Sequence, residues 1–348
     1  MQFPYHVLIG AAVKIPVPDP VPVVSYSPVV LPTAGRPVDI QLRVMAPAPR
    51  PDDDDDDQAP LPIVLLAHGA GPSNYLSSLD GVTPLAEFYA SRGFAVLQPT
   101  LLDSAFLGLA AGAPAGDEAF WRERAPDLSR LLDDDALDAV EAAVPFLSSA
   151  SRAPLSAAGA PPRLDRARVA VVGYSFGGQT AQLLLGATNT DPRTNETVRA
   201  RDERIRAGVV LAGMGKGGDD LVESAGQIIP FYGLDFSGMA APALVVYGDE
   251  DVTALLTDRG ADWHADSYAL APGPKSLLTV RGGKHALGGV GGYDAAEADE
   301  ESPERLAMVQ RMTWAYLWSQ LHEGDRTWEE ACEAFEGLAQ LGTVEHKE

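Results

Sequence analysis

The chain has 348 residues, long enough for one large domain or two modest ones and for a substantial core. Its 26 basic and 49 acidic residues give a formal net charge of −23, which argues against a nucleic-acid partner and against docking on an anionic membrane. A single cysteine, Cys332, excludes an internal disulfide and a cysteine-based zinc site. We expect a soluble enzyme or binding protein that is a monomer or a homodimer.

The first 60 residues predict an arm that precedes the main domain. Prolines recur from residue 14 onward, and because proline cannot donate to a sheet ladder, strands here should lie at an edge. Residues 38–44 alternate apolar and polar side chains, which is typical of a half-buried antiparallel strand. The six aspartates at 52–57 repel one another and lack the spacing of a calcium loop, so they predict a solvated hairpin or linker.

The N-terminal sequence and the apolar runs indicate where in the cell the protein is expected. The apolar piece at residues 7–13 lacks the basic flank and the length of a secretory signal. No run reaches the roughly 18 apolar residues of a membrane span. We therefore predict a cytoplasmic protein without membrane segments.

From residue 61 onward the pattern changes to short apolar runs that do not alternate. These runs lie at residues 62–67, 94–97, 169–172, 208–212, 243–247 and 276–280. Stretches with helical spacing separate them, at residues 131–147, 178–186 and 303–321. Strands of this kind are buried on both faces, so the pattern predicts an α/β fold with a mostly parallel sheet flanked by helices.

The domain organisation follows from the same pattern. Residues 61–322 are expected to form the catalytic domain and residues 323–348 a helical tail. The connections at 101–130 and 214–241 are longer than usual for α/β units, and both leave the carboxyl ends of predicted strands. We expect them to be lid-like excursions or pocket walls at the edge where the sites of such sheets assemble.

A nucleophile motif follows the third apolar run. Gly173-Tyr-Ser-Phe-Gly177 stands between that strand and a helix of small residues, the context in which G-x-S-x-G forms a nucleophile elbow. Ser175 would lie on a strained turn that requires glycine on either side. The alternative is a glycine-rich turn without chemistry.

A serine hydroxyl needs a base to activate it, and the chain has six histidines. His285 lies in a glycine-rich loop after the last apolar run and follows the serine in the order expected of a Ser-Asp-His triad. We expect His285 to be the base. His264 is the rival, with a structural role or a place in the pocket wall as its alternative.

The base in turn needs a carboxylate. Asp249, Glu250 and Asp251 all follow the strand at 243–247. Asp251 is favoured because the preceding turn directs it toward the next loop, and Asp249 is the runner-up.

Substrate contacts are expected from small residues and from aromatic residues. Backbone N–H groups of Ala70 and Phe176 would form the oxyanion hole. His68 is expected to orient its loop or contact substrate rather than to act as the base. Aromatic side chains in the two long connections would form an apolar pocket, with simple packing as the alternative: Phe106, Phe120, Trp121, Phe231, Tyr232 and Phe236.

With these motifs in place, residues 61–321 resemble the α/β-hydrolase superfamily of serine hydrolases, and within it the dienelactone hydrolase, chlorophyllase and platelet-activating-factor acetylhydrolase group. The resemblance implies an esterase with Ser175, Asp251 and His285 as its triad and with Ala70 and Phe176 at its oxyanion hole. It implies no metal and no cofactor. Dienelactone hydrolases use a cysteine nucleophile, and chlorophyllases carry a different residue pair around the serine, so their substrates are not transferred.

We therefore predict hydrolysis of a small, neutral or apolar carboxylic ester or lactone through an acyl-enzyme. The acidic surface should disfavour anionic substrates. Three alternatives stay open: a triad-dependent acyltransferase, a lactone-opening or lyase step in biosynthesis, and a non-catalytic binding protein on the same scaffold.

Overall fold

The computed structural model describes residues 7–48, 59–71, 76–113, 120–145, 147, 163–292 and 299–348. The aspartate run at 52–57 lies outside the described residues. The described strands are β1 (Val23–Leu31), β2 (Ile40–Pro47), β3 (Leu61–Ala67), β4 (Ala95–Pro99), β5 (Leu164–Tyr174), β6 (Thr188–Asp191), β7 (Glu196–Arg199), β8 (Ile205–Leu211), β9 (Leu234–Asp235), β10 (Ala243–Gly248), β11 (Lys275–Val280) and β12 (Gly342–Lys347).

The described α-helices are α1 (Thr83–Ala90), α2 (Trp121–Arg130), α3 (Asp134–Ala143), α4 (Phe176–Leu184), α5 (Ala225–Ile228), α6 (Asp266–Ala269), α7 (Pro303–Leu321) and α8 (Thr327–Glu336). Short 3-10 helices lie between them, at Val7–Lys14, Ala105–Leu107, Ala110–Gly112, Gly218–Asp220 and Ala261–Ala265. In the part of the chain that the structure describes, no helix is both long and apolar enough to cross a membrane.

Nine of the described strands form one sheet, in the order β1-β2-β4-β3-β5-β8-β10-β11-β12. The six strands from β4 to β11 in this order run parallel, and each overlaps one of the predicted apolar runs. In β3, Ile63 and Leu65 belong to one core while Val64 and Leu66 belong to the other. Both faces of the strand are thus buried, and this confirms the prediction of a mostly parallel sheet.

Helices cover both faces of the sheet. On one face, α2 and α3 contribute Leu128 and Val140 to the core that contains Leu65. On the other, α1 and α7 contribute Leu85 and Met312 to the second core. The α/β layering that the sequence predicts is therefore present.

Both ends of the chain extend this sheet, and here the predicted organisation needs a correction. β1 and β2 add an antiparallel edge next to β4. The tail, predicted to be helical, contains α8 but ends in β12, which pairs antiparallel with β11 at the opposite edge. β12 contains charged residues and no apolar run, so its own sequence does not indicate a strand. Its strand conformation depends on pairing with β11.

The two long connections contain regular structure of their own. The first includes α2 and two of the 3-10 helices, and the second includes α5 and β9. β9 joins the β6–β7 hairpin in a separate three-stranded sheet that the sequence did not indicate. The three strands of this small sheet have two to four residues each, too few to show an alternating apolar and polar pattern.

Candidate active site

Ser175 lies at the sharp turn between β5 and α4. Its backbone has φ 55° and ψ −119°, a conformation that costs free energy in a residue with a side chain. The turn requires glycine on both sides. A Cβ at Gly173 would lie 1.9 Å from the carbonyl oxygen of Gly177, and one at Gly177 would lie 2.2 Å from that of Ala67. The local sequence thus builds the nucleophile elbow that its motif predicts.

The structure brings Ser175, His285 and Asp251 together in one hydrogen-bonded row. The Ser175 hydroxyl donates to Nε2 of His285 over 2.8 Å, and Nδ1 of His285 donates to Oδ2 of Asp251 over 2.9 Å. The carboxylate can only accept, and this fixes the proton of the neutral imidazole on Nδ1. Nε2 is left free to take the proton of the serine.

Two adjacent loops position the acid and the base. Asp251 follows β10 and His285 follows β11, and the two loops touch so closely that a Cβ at Gly248 would lie 2.0 Å from the carbonyl oxygen of Gly283. Asp249, the runner-up, accepts a hydrogen bond from the backbone N–H of Gly282. Asp249 therefore binds the backbone of the loop after β11, while Asp251 contacts the imidazole of His285.

Electrostatics favour the ion pair of this row. Burial disfavours the His285 imidazolium, but the hydrogen bond and the charge of Asp251 outweigh burial and raise the pKa of His285. Burial likewise disfavours the Asp251 carboxylate, but hydrogen bonds from His264 and His285 lower its pKa below its usual range. The two shifts agree, and both favour a charged carboxylate beside a basic imidazole.

The expected oxyanion donors lie next to the serine. Phe176 opens α4, so its N–H has no acceptor inside the helix. Ala70 lines the same cavity as Ser175 and Phe176. The neighbouring Gly69 comes so close that a Cβ there would lie 3.3 Å from Cβ of Ser175. Ala70 and Phe176 therefore line the same cavity as the hydroxyl of Ser175.

A cavity of about 790 Å³ opens over this row. Eight of the residues in its described wall are apolar side chains from the second long connection and from the loop after β10: Met214, Ile228, Ile229, Phe231, Val252, Ala254, Leu255 and Leu256. Charged side chains, Glu250, Lys284 and Asp299, also reach it. A mostly apolar cavity with a few polar groups is typical of a small-molecule site.

The aromatic side chains expected to contact substrate differ in their access to the cavity. Phe231 lines the cavity. Trp121 is 1% exposed and stacks on Phe231, with ring centroids 5.1 Å apart. Tyr232 is 2% exposed and donates its hydroxyl to the carbonyl oxygen of Gly215. The described cavity wall includes neither Trp121 nor Tyr232, and both are buried in the core.

His68 is likewise absent from the cavity wall. Its Nδ1 donates to the carbonyl oxygen of Gly69 over 2.7 Å, and its Nε2 accepts from the N–H of Leu101 over 3.0 Å. Burial and the charge of Arg124 lower the pKa of His68 to about 4, so the ring is neutral near pH 7. The structure therefore places this neutral ring against the backbone of Gly69 and Leu101 rather than in the described wall of the cavity.

Sequence reasoning missed Arg124, a buried cation that contacts the loop of His68 and Gly69. Its guanidinium donates to the carbonyl oxygen of His68 and to the hydroxyl of Thr180, and it forms an ion pair with Asp103. It also lies 4.5 Å from the centre of the Phe176 ring. Arg124 therefore links the two segments that carry the expected oxyanion donors. An arginine in the polar sequence of α2 gives no signal of such burial.

His264, the rival base, contacts the acid instead of the serine. It is 2% exposed, and its Nε2 lies 3.3 Å from Oδ2 of Asp251. The ligand atoms of Asp251, His264 and His285 all lie within 4.8 Å of one another, a group of three that is close enough to hold a metal ion. In the arrangement observed, however, Nδ1 of His285 and Oδ2 of Asp251 are joined by their own hydrogen bond.

One solved structure shows the same fold, and two others are reported beside it. A ferulic acid esterase from Streptomyces cinnamoneus superposes with a TM-score of 0.53 at 17% identity, over 90% of this chain and 97% of that one. An arylesterase gives 0.48 at 14% identity, over 89% and 88% of the two chains. An acylaminoacyl peptidase from Pyrococcus horikoshii gives 0.49 at 13%, over 90% and 44%. At 17% identity, the likeness to the ferulic acid esterase concerns the fold alone.

Sequence comparison assigns the family. No curated protein sequence matches the chain. The profile of the α/β hydrolase family, however, matches residues 64–346, which include Ser175, Asp251 and His285. Because this match spans most of the chain, the protein belongs to the α/β hydrolase family.

Proposed function

We propose that this hydrolase cleaves carboxylic esters through an acyl-enzyme intermediate formed on Ser175. The observation that carries the proposal is the hydrogen-bonded row of Ser175, His285 and Asp251 beneath an apolar cavity. In such a row the serine hydroxyl attacks the ester carbonyl while the imidazole accepts its proton.

The proton then returns along the same path. His285 gives the proton from Nε2 to the leaving alcohol, which departs and leaves an ester between the acyl group and Oγ of Ser175. The same imidazole next deprotonates a water molecule, whose attack releases the carboxylic acid and restores the serine hydroxyl. Asp251 keeps the proton of Nδ1 in place and stabilises the imidazolium. The backbone N–H groups of Ala70 and Phe176 stabilise the negative charge on the carbonyl oxygen.

The wall of the cavity supports a neutral or apolar substrate. Its apolar side chains offer contact area to an acyl or alkyl group, and the net charge of −23 repels anions. Lactones satisfy the same requirements as open esters.

Labelling of the serine tests this proposal. We expect a fluorophosphonate probe to label the protein at Ser175 and the Ser175→Ala variant to lose both labelling and hydrolysis of p-nitrophenyl esters. Ser237→Ala, at an exposed serine outside the described cavity wall, is the matched control and should keep both. Matched p-nitroanilides measure whether amides are cleaved as well. Ester hydrolysis that survives in Ser175→Ala would contradict the proposal.

A further inference from the structure

The loop that carries His285 has no helix or strand of its own. This His285 loop covers residues 281–292 and consists of turns that follow β11. Leu287 within it has a φ of 49°, a conformation that costs free energy in a residue with a large side chain. The side chain of His285 is 34% exposed, so packing alone does not hold its ring. The loop therefore depends on contacts from other segments for its conformation.

Two consecutive carboxylates bind the backbone on either side of His285. The N–H of Lys284 donates to Oε2 of Glu300 over 2.6 Å, and the N–H of Ala286 donates to Oδ1 of Asp299 over 3.1 Å. A backbone N–H only donates and a carboxylate only accepts, so the direction of both bonds is fixed. Hydrogen bonds to an ionised acceptor are stronger than those between neutral groups. The residues directly before and directly after the base are thus bound to one short segment.

The first turn of α7 holds this segment and the loop together. The side chain of Glu300 is 7% exposed, and its Oε1 accepts from Arg305 over 2.8 Å. Nε of the same arginine donates to the carbonyl oxygen of Arg281, where the His285 loop begins, over 2.9 Å. The backbone N–H of Ser302 donates to the carbonyl oxygen of Gly288. Because α7 is packed in the second core, these bonds connect the His285 loop to a fixed element.

We propose that Asp299 and Glu300 are positioning residues, a carboxylate clamp that holds His285 in line with Ser175 through the backbone N–H groups beside it. This inference rests on the proposed function, because it assigns His285 as the base. Proton transfer requires the 2.8 Å contact between the serine hydroxyl and Nε2 of the imidazole. A displacement of about 1 Å at such a contact can lower the rate about 100-fold, so the clamp acts on the chemical step.

A pair of substitutions at Asp299 separates the hydrogen bond from the charge. Asp299→Ala removes both, whereas Asp299→Asn removes the charge but keeps an oxygen that can accept from Ala286. We expect kcat for p-nitrophenyl acetate to fall about tenfold in Asp299→Ala, with KM nearly unchanged, and to be restored in Asp299→Asn. Asp299 lines the cavity, so a role of its charge in binding ligands would instead change KM in both variants. That result, or an unchanged kcat in Asp299→Ala, would overturn the proposal.

Glu300 has a matched control in its neighbour. Glu300→Ala frees the N–H of Lys284 and the guanidinium of Arg305, so we expect kcat to fall about 100-fold. Glu301→Ala makes the same change of charge at an exposed side chain and should keep the kcat of the wild type. Equal kcat values in the two variants would overturn the proposal. If Glu300→Ala does not fold, the two variants at Asp299 decide.

Amide hydrogen exchange, followed by NMR, tests the clamp without need of activity. We expect the N–H of Lys284 to exchange faster in Glu300→Ala and the N–H of Ala286 to exchange faster in Asp299→Ala, while the amides of α7 keep their protection. Exchange at the wild-type rate in these variants would overturn the proposal even if esters are hydrolysed. If no ester is hydrolysed, the proposed function fails, and the exchange rates alone decide whether the two carboxylates hold the His285 loop.

Discussion

At the residue scale, the site depends on backbone approaches that leave no room for a side chain. The carbonyl of Gly177 lies against Gly173, and the carbonyl of Gly283 lies against Gly248. The first approach exposes Ser175 at its turn, and the second brings the loops of Asp251 and His285 together. The motif G-x-S-x-G predicts the close approach of Gly173 and Gly177, whereas nothing in the sequence indicates that Gly248 lies against Gly283.

The pH dependence of activity belongs to this scale. Asp251 raises the pKa of His285 above its ordinary value of 6.5, and only the neutral imidazole accepts the serine proton. We expect kcat/KM to fall as the pH drops through that raised pKa. In Asp251→Asn the acid limb should move to lower pH, because the charge that raises the pKa is gone, and kcat should fall by about 10⁴-fold. An acid limb that moves to higher pH in Asp251→Asn would contradict the assignment of Asp251 as the group that raises the pKa of His285.

Arg124 gives a second prediction for a single residue. Arg124→Met would leave the carboxylate of Asp103, whose side chain is 4% exposed, without its buried partner. We expect the free energy of unfolding to fall by about 3–5 kcal/mol, measured by urea denaturation. The kcat should fall too, because the loop of His68 loses its anchor. Arg130→Met on the same helix, where the side chain is 48% exposed, should change stability by less than about 1 kcal/mol. Equal losses in the two variants would refute this account.

At the scale of elements, α5 and the loop after β10 form an apolar lip at the mouth of the cavity. Ile228, Val252 and Leu255 all line the cavity, yet they are 52%, 63% and 67% exposed. Large apolar side chains left in water at a cavity mouth offer contact area to whatever part of a substrate extends beyond the cavity. The second long connection contributes Met214, Ile228, Ile229 and Phe231 to the wall of this cavity, whereas the described wall includes no residue of the first connection.

If the lip contacts substrate, activity should depend on the length of the acyl chain of the ester. We expect Leu255→Asp to lower kcat/KM for p-nitrophenyl octanoate about tenfold, which corresponds to about 1.4 kcal/mol or two buried methylene groups. The acetate ester should be affected little, since its acyl group ends inside the cavity. Leu270→Asp, at a side chain 50% exposed away from the cavity wall, is the control. The same loss for both esters would show that the lip does not contact the acyl chain.

At the scale of the whole molecule, the net charge of −23 acts on the approach of ligands rather than on the chemistry. The site itself mixes signs, with Lys284 beside Glu250 and Asp299. We therefore expect the molecular surface, rather than the site, to repel an anionic substrate, and we expect dissolved salt to screen this repulsion.

A comparison of two esters at increasing salt checks this effect. We expect kcat/KM for an ester with an anionic acyl group to rise as salt is added, while the value for a neutral ester of similar size stays constant. A rise for both esters would indicate that salt acts on the enzyme itself, and a constant value for both would show that the surface charge does not matter.

The sequence by itself determined the parallel sheet and the position of the nucleophile. Strands buried on both faces must be continuously apolar, and a nucleophile elbow must have glycine around its serine. Both features can therefore be recognised from consecutive residues of the sequence. The family is established by sequence as well, whereas the narrower group within it and the cytoplasmic location stay predictions.

Only the tertiary structure decided the rest. The choice of Asp251 over Asp249, the burial of His68 and Arg124, the contact of His264 with the acid and the pairing of β12 all depend on residues far apart in the chain. Such contacts leave no periodic signal, because a buried cation or a second imidazole is stabilised by its partners and not by its neighbours in sequence. The hydroxyl and the imidazole could be named in advance, but the environment that sets their proton affinities exists only in the folded molecule.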